Sequence, residues 1–193
     1  MINLKDRAKK YYLLADQYLE TTKLLLNTII ENDNANYGIG CNEQEALKDM
    51  EESIIKSDVY LFIPSMFSSL QTVELFIKGL LLFNEREVTH KHEVNGMINE
   101  LREIYGDNSD MFETINKFYK NQMEILKKFK KVNNITTTAD LYESLRYPEN
   151  NKKEYEYFEL KYNGKEVIKQ YIKMLETLEK IKKEILKEYR KAN

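Results

Sequence analysis

The sequence predicts an all-α fold, an up-and-down bundle of four to five long helices with short helices between them. Three observations lead there. The 193 residues include only 6 Gly and 2 Pro, whereas an all-β fold needs a turn roughly every 8–12 residues and is richer in both. Lys, Glu, Leu and Ile dominate the composition, and the first three are good helix formers. Apolar residues recur at steps of three and four along most of the chain, the period of one helix face.

The first helix is expected over residues 6–31, with Ala8, Tyr11, Ala15, Tyr18, Thr22, Leu25 and Ile29 on one face. An Asn- and Gly-rich run, residues 32–40, breaks it, because both residue types tolerate left-handed backbone. Residues 42–58 read as a short, mostly exposed helix. From Glu31 to Asp58 eight acidic residues face Lys48 and Lys56 alone, the most acidic part of the chain.

Residues 59–83 are the most apolar stretch. They also carry Pro64, Ser65, Ser68, Ser69, Gln71, Glu74 and Lys78, too many polar groups for a lipid-spanning helix. The stretch reads as the buried central helix of the bundle, starting at Asp58 or at Pro64, since Pro is at home in a first turn and kinks an interior. Gly79 within it costs about 1 kcal/mol against Ala, which a close helix–helix approach would offset.

A shorter helix over residues 93–105 ends at Gly106-Asp107-Asn108. Ser109 then caps a fourth long helix that carries Met111, Ile115, Phe118, Gln122, Ile125 or Leu126, Phe129 and Val132 on one face. Asn133-Asn134 ends it. Thr137 and Asp140 stand at capping-box spacing and open a short helix that Pro148 stops at Tyr147. Residues 155–162 alternate weakly before Asn163-Gly164, so they read as an irregular linker or a small hairpin. The last helix covers residues 165–189, with Ile168, Tyr171, Leu175, Leu178, Ile181, Ile185 and Tyr189 as its stripe. No repeat or low-complexity linker divides the chain. The expectation is one domain over residues 1–193 with an acidic insertion at about residues 32–57.

Composition narrows function by exclusion. Apolar residues at 42% and a net charge of −2 argue against disorder, and that charge gives no reason to expect an overall nucleic-acid or membrane binder. The N-terminus has no signal-type apolar core. A single cysteine, Cys41, makes no intramolecular disulfide, so a cytoplasmic setting is the default. No His lies near Cys41 to activate it. Gly-rich phosphate loops, His-Glu-x-x-His and Cys pairs are absent. His90 and His92, two apart, would not face one another on a helix. No metal or cofactor is implied.

Four features remain. Glu74 and Lys78 sit one turn apart in an apolar helix, where they can pair with each other; charges there are costly unless satisfied. His92-Glu93-Val94 opens a helix, as a cap and dipole partner or as part of a site. Arg146, in Leu145-Arg146-Tyr147-Pro148, can contact a phosphate, pair with Glu74 or be structural. Between residues 117 and 131, Lys117, Lys120, Lys127, Lys128, Lys130 and Lys131 oppose Glu124 alone. That face is either solvated or, with Phe118, Tyr119 and Phe129, a surface for RNA.

The order of these motifs is familiar. Glu74-Leu75-Phe76-Ile77-Lys78-Gly79-Leu80, then His92-Glu93-Val94 before an amphipathic helix ending in Leu101, then Leu145-Arg146-Tyr147-Pro148 and a Lys/Glu-rich terminal helix together resemble a HEPN domain. This is the small α-helical bundle found widely in prokaryotic toxin–antitoxin and phage-defence systems. The resemblance covers about residues 58–191, and the first helix fits the family's leading helix. It implies a bundle of four or five helices, often dimeric, and in many members a metal-independent ribonuclease. The family's catalytic motif is an Arg followed four to six residues later by His.

Arg146 matches that Arg, but residues 147–152 are Tyr, Pro, Glu, Asn, Asn and Lys. Without the His, no evident general acid or base near neutral pH stands there. The resemblance therefore implies a non-catalytic regulatory or binding protein, acting as a homodimer on RNA, a nucleotide or a nucleotidyltransferase-type partner. Its expected site is Arg146 with Tyr147, joined by Glu74, Lys78 and His92. The alternatives are a ribonuclease that pairs Arg146 with His92 or Tyr147, and a helical scaffold whose charged faces contact another protein.

Overall fold

The computed structural model describes residues 4–88, 94–120, 123–157 and 163–191. Among them the elements are α1 (Leu4–Glu31), α2 (Glu43–Ile54), α3 (Asp58–Phe83), α4 (Val94–Tyr105), α5 (Asp110–Lys120), α6 (Glu124–Val132), α7 (Thr138–Ser144) and α8 (Ile168–Lys191), with a 3₁₀ turn at Lys165–Val167. The described residues form no β-strand. Glu149 and Glu154 make an isolated antiparallel bridge, and residues 158–162 of the linker-or-hairpin stretch lie outside the description.

α3 organises the bundle. It is apolar nearly all round, and a helix of that kind is stable only when surrounded. Phe62, Val73, Phe76, Ile77, Leu80 and Leu81 have no exposed surface. α1 runs antiparallel to it: Ala8 lies at Gly79, and the Ser68 hydroxyl donates to the Tyr18 carbonyl at 3.0 Å. α8 closes the third side. Tyr189 stacks edge-on against Phe83 with centroids 4.5 Å apart, and Lys23 bonds Glu179 at 2.8 Å. A Cβ on Gly79 would stand 3.3 Å from the Ala8 carbonyl oxygen and 3.0 Å from the Tyr189 hydroxyl. Gly79 thus marks the expected close approach of helices.

α3 begins at Asp58, capped by the Ser57 hydroxyl, and runs through Pro64; of the two expected starts, the earlier one holds. Asp58 has no exposed surface. Its Oδ2 accepts from the Asn163 backbone N–H, the Asn163 amide and the Tyr171 hydroxyl, each at 3.1 Å. Asn34, in left-handed backbone at φ 46°, accepts from the Asp58 N–H at 2.8 Å and donates to the Gly164 carbonyl at 2.8 Å. One end of the bundle is therefore pinned by neutral donors around a single carboxylate.

The fourth helix departs from expectation. Among the described residues α5 and α6 are separate helices, and Met123, the residue before α6, is extended at φ −51°, ψ 143°. Met111, Phe112 and Ile115 of α5 and Ile125, Leu126 and Phe129 of α6 all reach the core, while Val132 is left 49% exposed. The caps agree with the sequence: Ser109 Oγ accepts from the Phe112 N–H and Thr137 Oγ1 from the Asp140 N–H.

Candidate functional site

Besides Asp58, α3 carries two buried charged side chains, Glu74 and Lys78, near tyrosines of α5 and α7. Glu74 and Lys78 are one turn apart, so their side chains share a face. They meet at 2.7 Å, with side chains 0% and 7% exposed. Such a pair survives burial only if each partner keeps the other, because either alone would be an uncompensated charge.

Two phenols surround the carboxylate. Burial pushes the Tyr142 phenol well above its ordinary value; Tyr119 and Glu74 raise it further, and Arg146 opposes them. Burial, then the charge of Glu74, does the same to Tyr119, whose hydroxyl makes no hydrogen bond among the described residues. Both phenols stay protonated at any physiological pH. They serve as dipoles around Glu74, not as acids or bases.

Tyr142 links this interior to the surface. It belongs to α7 and meets Phe67 of α3 edge-on at 6.0 Å. One turn later, just past the end of α7, stands Arg146. Its Nε donates to the Tyr142 carbonyl at 3.3 Å, and its guanidinium lies 5.3 Å from the centre of the Tyr147 ring. Arg146 is exposed, and Tyr147 is 53% exposed. The two terminal amino groups of Arg146 have no protein partner among the described residues.

The corner that holds them is firm. Tyr157 donates its hydroxyl to the Tyr147 carbonyl at 2.7 Å, and the Tyr155 N–H donates to the Pro148 carbonyl at 2.8 Å. Asn133 ties the Glu156 backbone to the end of α6 at 2.7 and 2.9 Å.

Thus Glu74 and Lys78 come together as expected, but Arg146 does not pair with Glu74. Tyr142 feels the charge of Glu74, while Arg146 bonds the Tyr142 carbonyl and lies over the Tyr147 ring. His92 and His90 lie outside the described residues. The sequence does not single out Tyr142, and it offers Tyr119 only as part of the possible RNA stripe, not as a neighbour of Glu74. The one available signal was the four-residue step from Tyr142 to Arg146, which places them on one side of a helical turn.

The aromatic half of the RNA stripe is also overturned at Tyr119 and Phe129. Phe129 is fully buried and the Tyr119 hydroxyl lies in the interior, so these two rings are not open to stacking; Phe118 packs against the core and lines a groove. Lys117 and Lys127 bond Glu113 and Glu124 of their own helices.

Chemically, the exposed corner can hold an anion or a stacked ring. An arginine with unpaired terminal donors suits phosphate, and an exposed Tyr under a guanidinium offers a face to a base. No His stands among the described residues of this corner, and His is the side chain whose ordinary range best suits proton transfer near neutral pH. No three metal-ligating side chains converge among the described residues.

The HEPN domain family model matches residues 44–186, a span that takes in α3 with the Glu74–Lys78 pair, α7, Arg146 and most of α8. No curated protein and no solved structure matches the chain. With about three quarters of its length matched and an all-helical bundle assembled around α3, the chain belongs to the HEPN domain family.

Proposed function

We propose that this HEPN protein is a non-catalytic regulatory or binding member of a defence or toxin–antitoxin system. It engages RNA or a nucleotide phosphate through Arg146 with Tyr147, and it works as a homodimer. The observation that carries the reading is the exposed, braced Arg146 with open terminal donors and no His at residues 147–152. The buried Glu74–Lys78 pair supports the corner through Tyr142 and stays away from the ligand.

The test is binding and cleavage of a labelled RNA pool by the purified chain, with chelator present. Wild type is expected to bind without cutting. Arg146→Ala should weaken binding about tenfold or more, the scale of one lost stacking or charge contact, with no change in melting temperature. Chelator-resistant cleavage lost in Arg146→Ala would make the chain a ribonuclease and overturn the non-catalytic reading. Unchanged binding in the variant would remove Arg146 from the site.

A further inference from the structure

α2 is an amphipathic helix with nothing to cover it. None of its residues is buried. Leu47 and Met50 are 54% and 42% exposed, and Tyr37, Ile39 and Ile55 beside it are 50%, 77% and 51% exposed. At 100° per residue, Leu47, Met50 and Ile54 share one face, with Glu43 on the same stripe at its N-terminal end and Glu51 at its margin.

The segment is nonetheless built. The Ile39 N–H donates to Asp49 at 2.8 Å and the Cys41 N–H to Glu45 at 3.0 Å. A Cβ on Gly38 would overlap the Ala46 carbonyl, so the loop backbone lies directly on α2. A preassembled apolar face of this kind, rimmed by charge, marks an interaction surface.

The complementary chemistry is on the same molecule. A groove of about 630 Å³ opens between α3, α5, α6 and α8. Met66, Leu70, Phe118 and Met174 make its apolar part, and Lys117, Lys173 and Lys180 stand among its lining. Lys117 and the groove's Glu124 are occupied by neighbours on their own helices. No salt bridge within 4 Å holds Lys173 or Lys180 among the described residues, although Glu176 lines the same wall and Lys180 acts on Glu113 at longer range, so the two lysines can still reach an incoming acid.

Position favours exchange between copies. The groove's α8 wall starts at Gln170, beside Tyr171, and Tyr171 bonds Asp58 just after α2 ends. Knob and groove therefore lie at the same end of the bundle, where a two-fold axis can place each knob in the other copy's groove and close the assembly.

We propose that the apolar, acid-flanked face of α2 seats in the lysine-bearing groove of a second copy of this chain, reciprocally. This deepens the homodimer part of the proposed function and rests on it; it is independent of what Arg146 binds.

Sedimentation of the full chain tests it with exposed positions only. Leu47→Asp with Met50→Asp, and separately Lys173→Glu with Lys180→Glu, should each raise the dimer dissociation constant at least tenfold. Glu43→Lys with Glu51→Lys should do the same. An equimolar mixture of that last variant with Lys173→Glu/Lys180→Glu should dimerise again, since both reciprocal seats are then complementary.

A wild type that stays monomeric across the micromolar range overturns this inference and the homodimer reading together. A wild-type dimer that all three variants leave intact overturns the α2 seat alone. RNA binding by Arg146, measured in parallel, stands or falls separately.

Discussion

Glu74 and Lys78 form an ion pair of 2.7 Å inside the most buried helix of the bundle, with the Glu74 side chain entirely out of solvent. The pair is local, so it needs no other element to form. It still depends on α5 and α7, because Tyr119 and Tyr142 supply polar surroundings that the apolar face of α3 lacks. Removing one partner should cost far more than removing both. Glu74→Ala leaves an ammonium buried without its counter-charge, a loss of about 3–5 kcal/mol, or roughly 6–20 °C in melting temperature for a chain of this size. Glu74→Leu with Lys78→Met fills similar volume without charge and should melt close to wild type. Thermal denaturation of the two variants decides it; equal losses would mean the ionic character of the pair is irrelevant.

Gly79→Ala sets two effects against each other. Alanine is favoured over glycine in a helix by about 1 kcal/mol. Its methyl would lie 3.3 Å from the Ala8 carbonyl oxygen and 3.0 Å from the Tyr189 hydroxyl. Tyr189 can shift at its tip; the α1 backbone cannot shift without moving the helix. Overpacking of this kind costs typically 1–3 kcal/mol, so net destabilisation is expected, visible as a lower denaturation midpoint. A rise in stability would show that α1 can move away from α3 at little cost.

Much of this arrangement is legible in the sequence, and the exceptions have physical reasons. α1, α3 and α8 follow from uninterrupted periodic stripes, and Ser109 and Thr137 cap where their side-chain chemistry says they should. The Glu74–Lys78 pair follows from i,i+4 spacing alone. The separation of α5 from α6 does not, because the apolar residues keep helical spacing across residues 111–132. Arg146 beside Tyr142 is half legible: local spacing brings them together, but nothing local says that Tyr142 also comes close to Glu74. The Asp58 junction is not legible, since Asn34, Asn163 and Tyr171 lie 24, 105 and 113 residues away from Asp58.

That junction makes its own prediction. Asp58→Ala removes the acceptor for three donors, and a buried donor left unsatisfied costs about 1–3 kcal/mol. The loss should reach about 3 kcal/mol or more, well above an ordinary surface change. Asp58→Asn keeps the shape and one carbonyl acceptor and should fall between wild type and Ala. Amide hydrogen exchange would locate the effect: protection should drop first at Asn163 and in the opening turns of α3 and α8. A uniform loss would mean the junction is no local staple.

Alkaline pH should unfold the protein, and the sign follows from the tyrosines. Burial, with Asp58 as a second cause, raises Tyr171; burial also raises Tyr119 and Tyr142 far above the ordinary phenol value. In the unfolded chain all three ionise near pH 10. Below that, both states hold the protons and nothing is gained or lost. Above it the unfolded state sheds protons that the folded state retains, so stability falls as pH rises. By pH 11 each such tyrosine has removed about 1.4 kcal/mol, or roughly 4 kcal/mol for the three, a large share of the total for most domains. Melting temperature should therefore hold steady to about pH 9.5 and then drop steeply, with tyrosinate absorbance rising in step with loss of helix. Tyr142→Phe should shift the onset of that drop upward. Absorbance that rises while helix content stays constant would show these phenols to be open to solvent, contrary to their burial around Glu74 and Asp58.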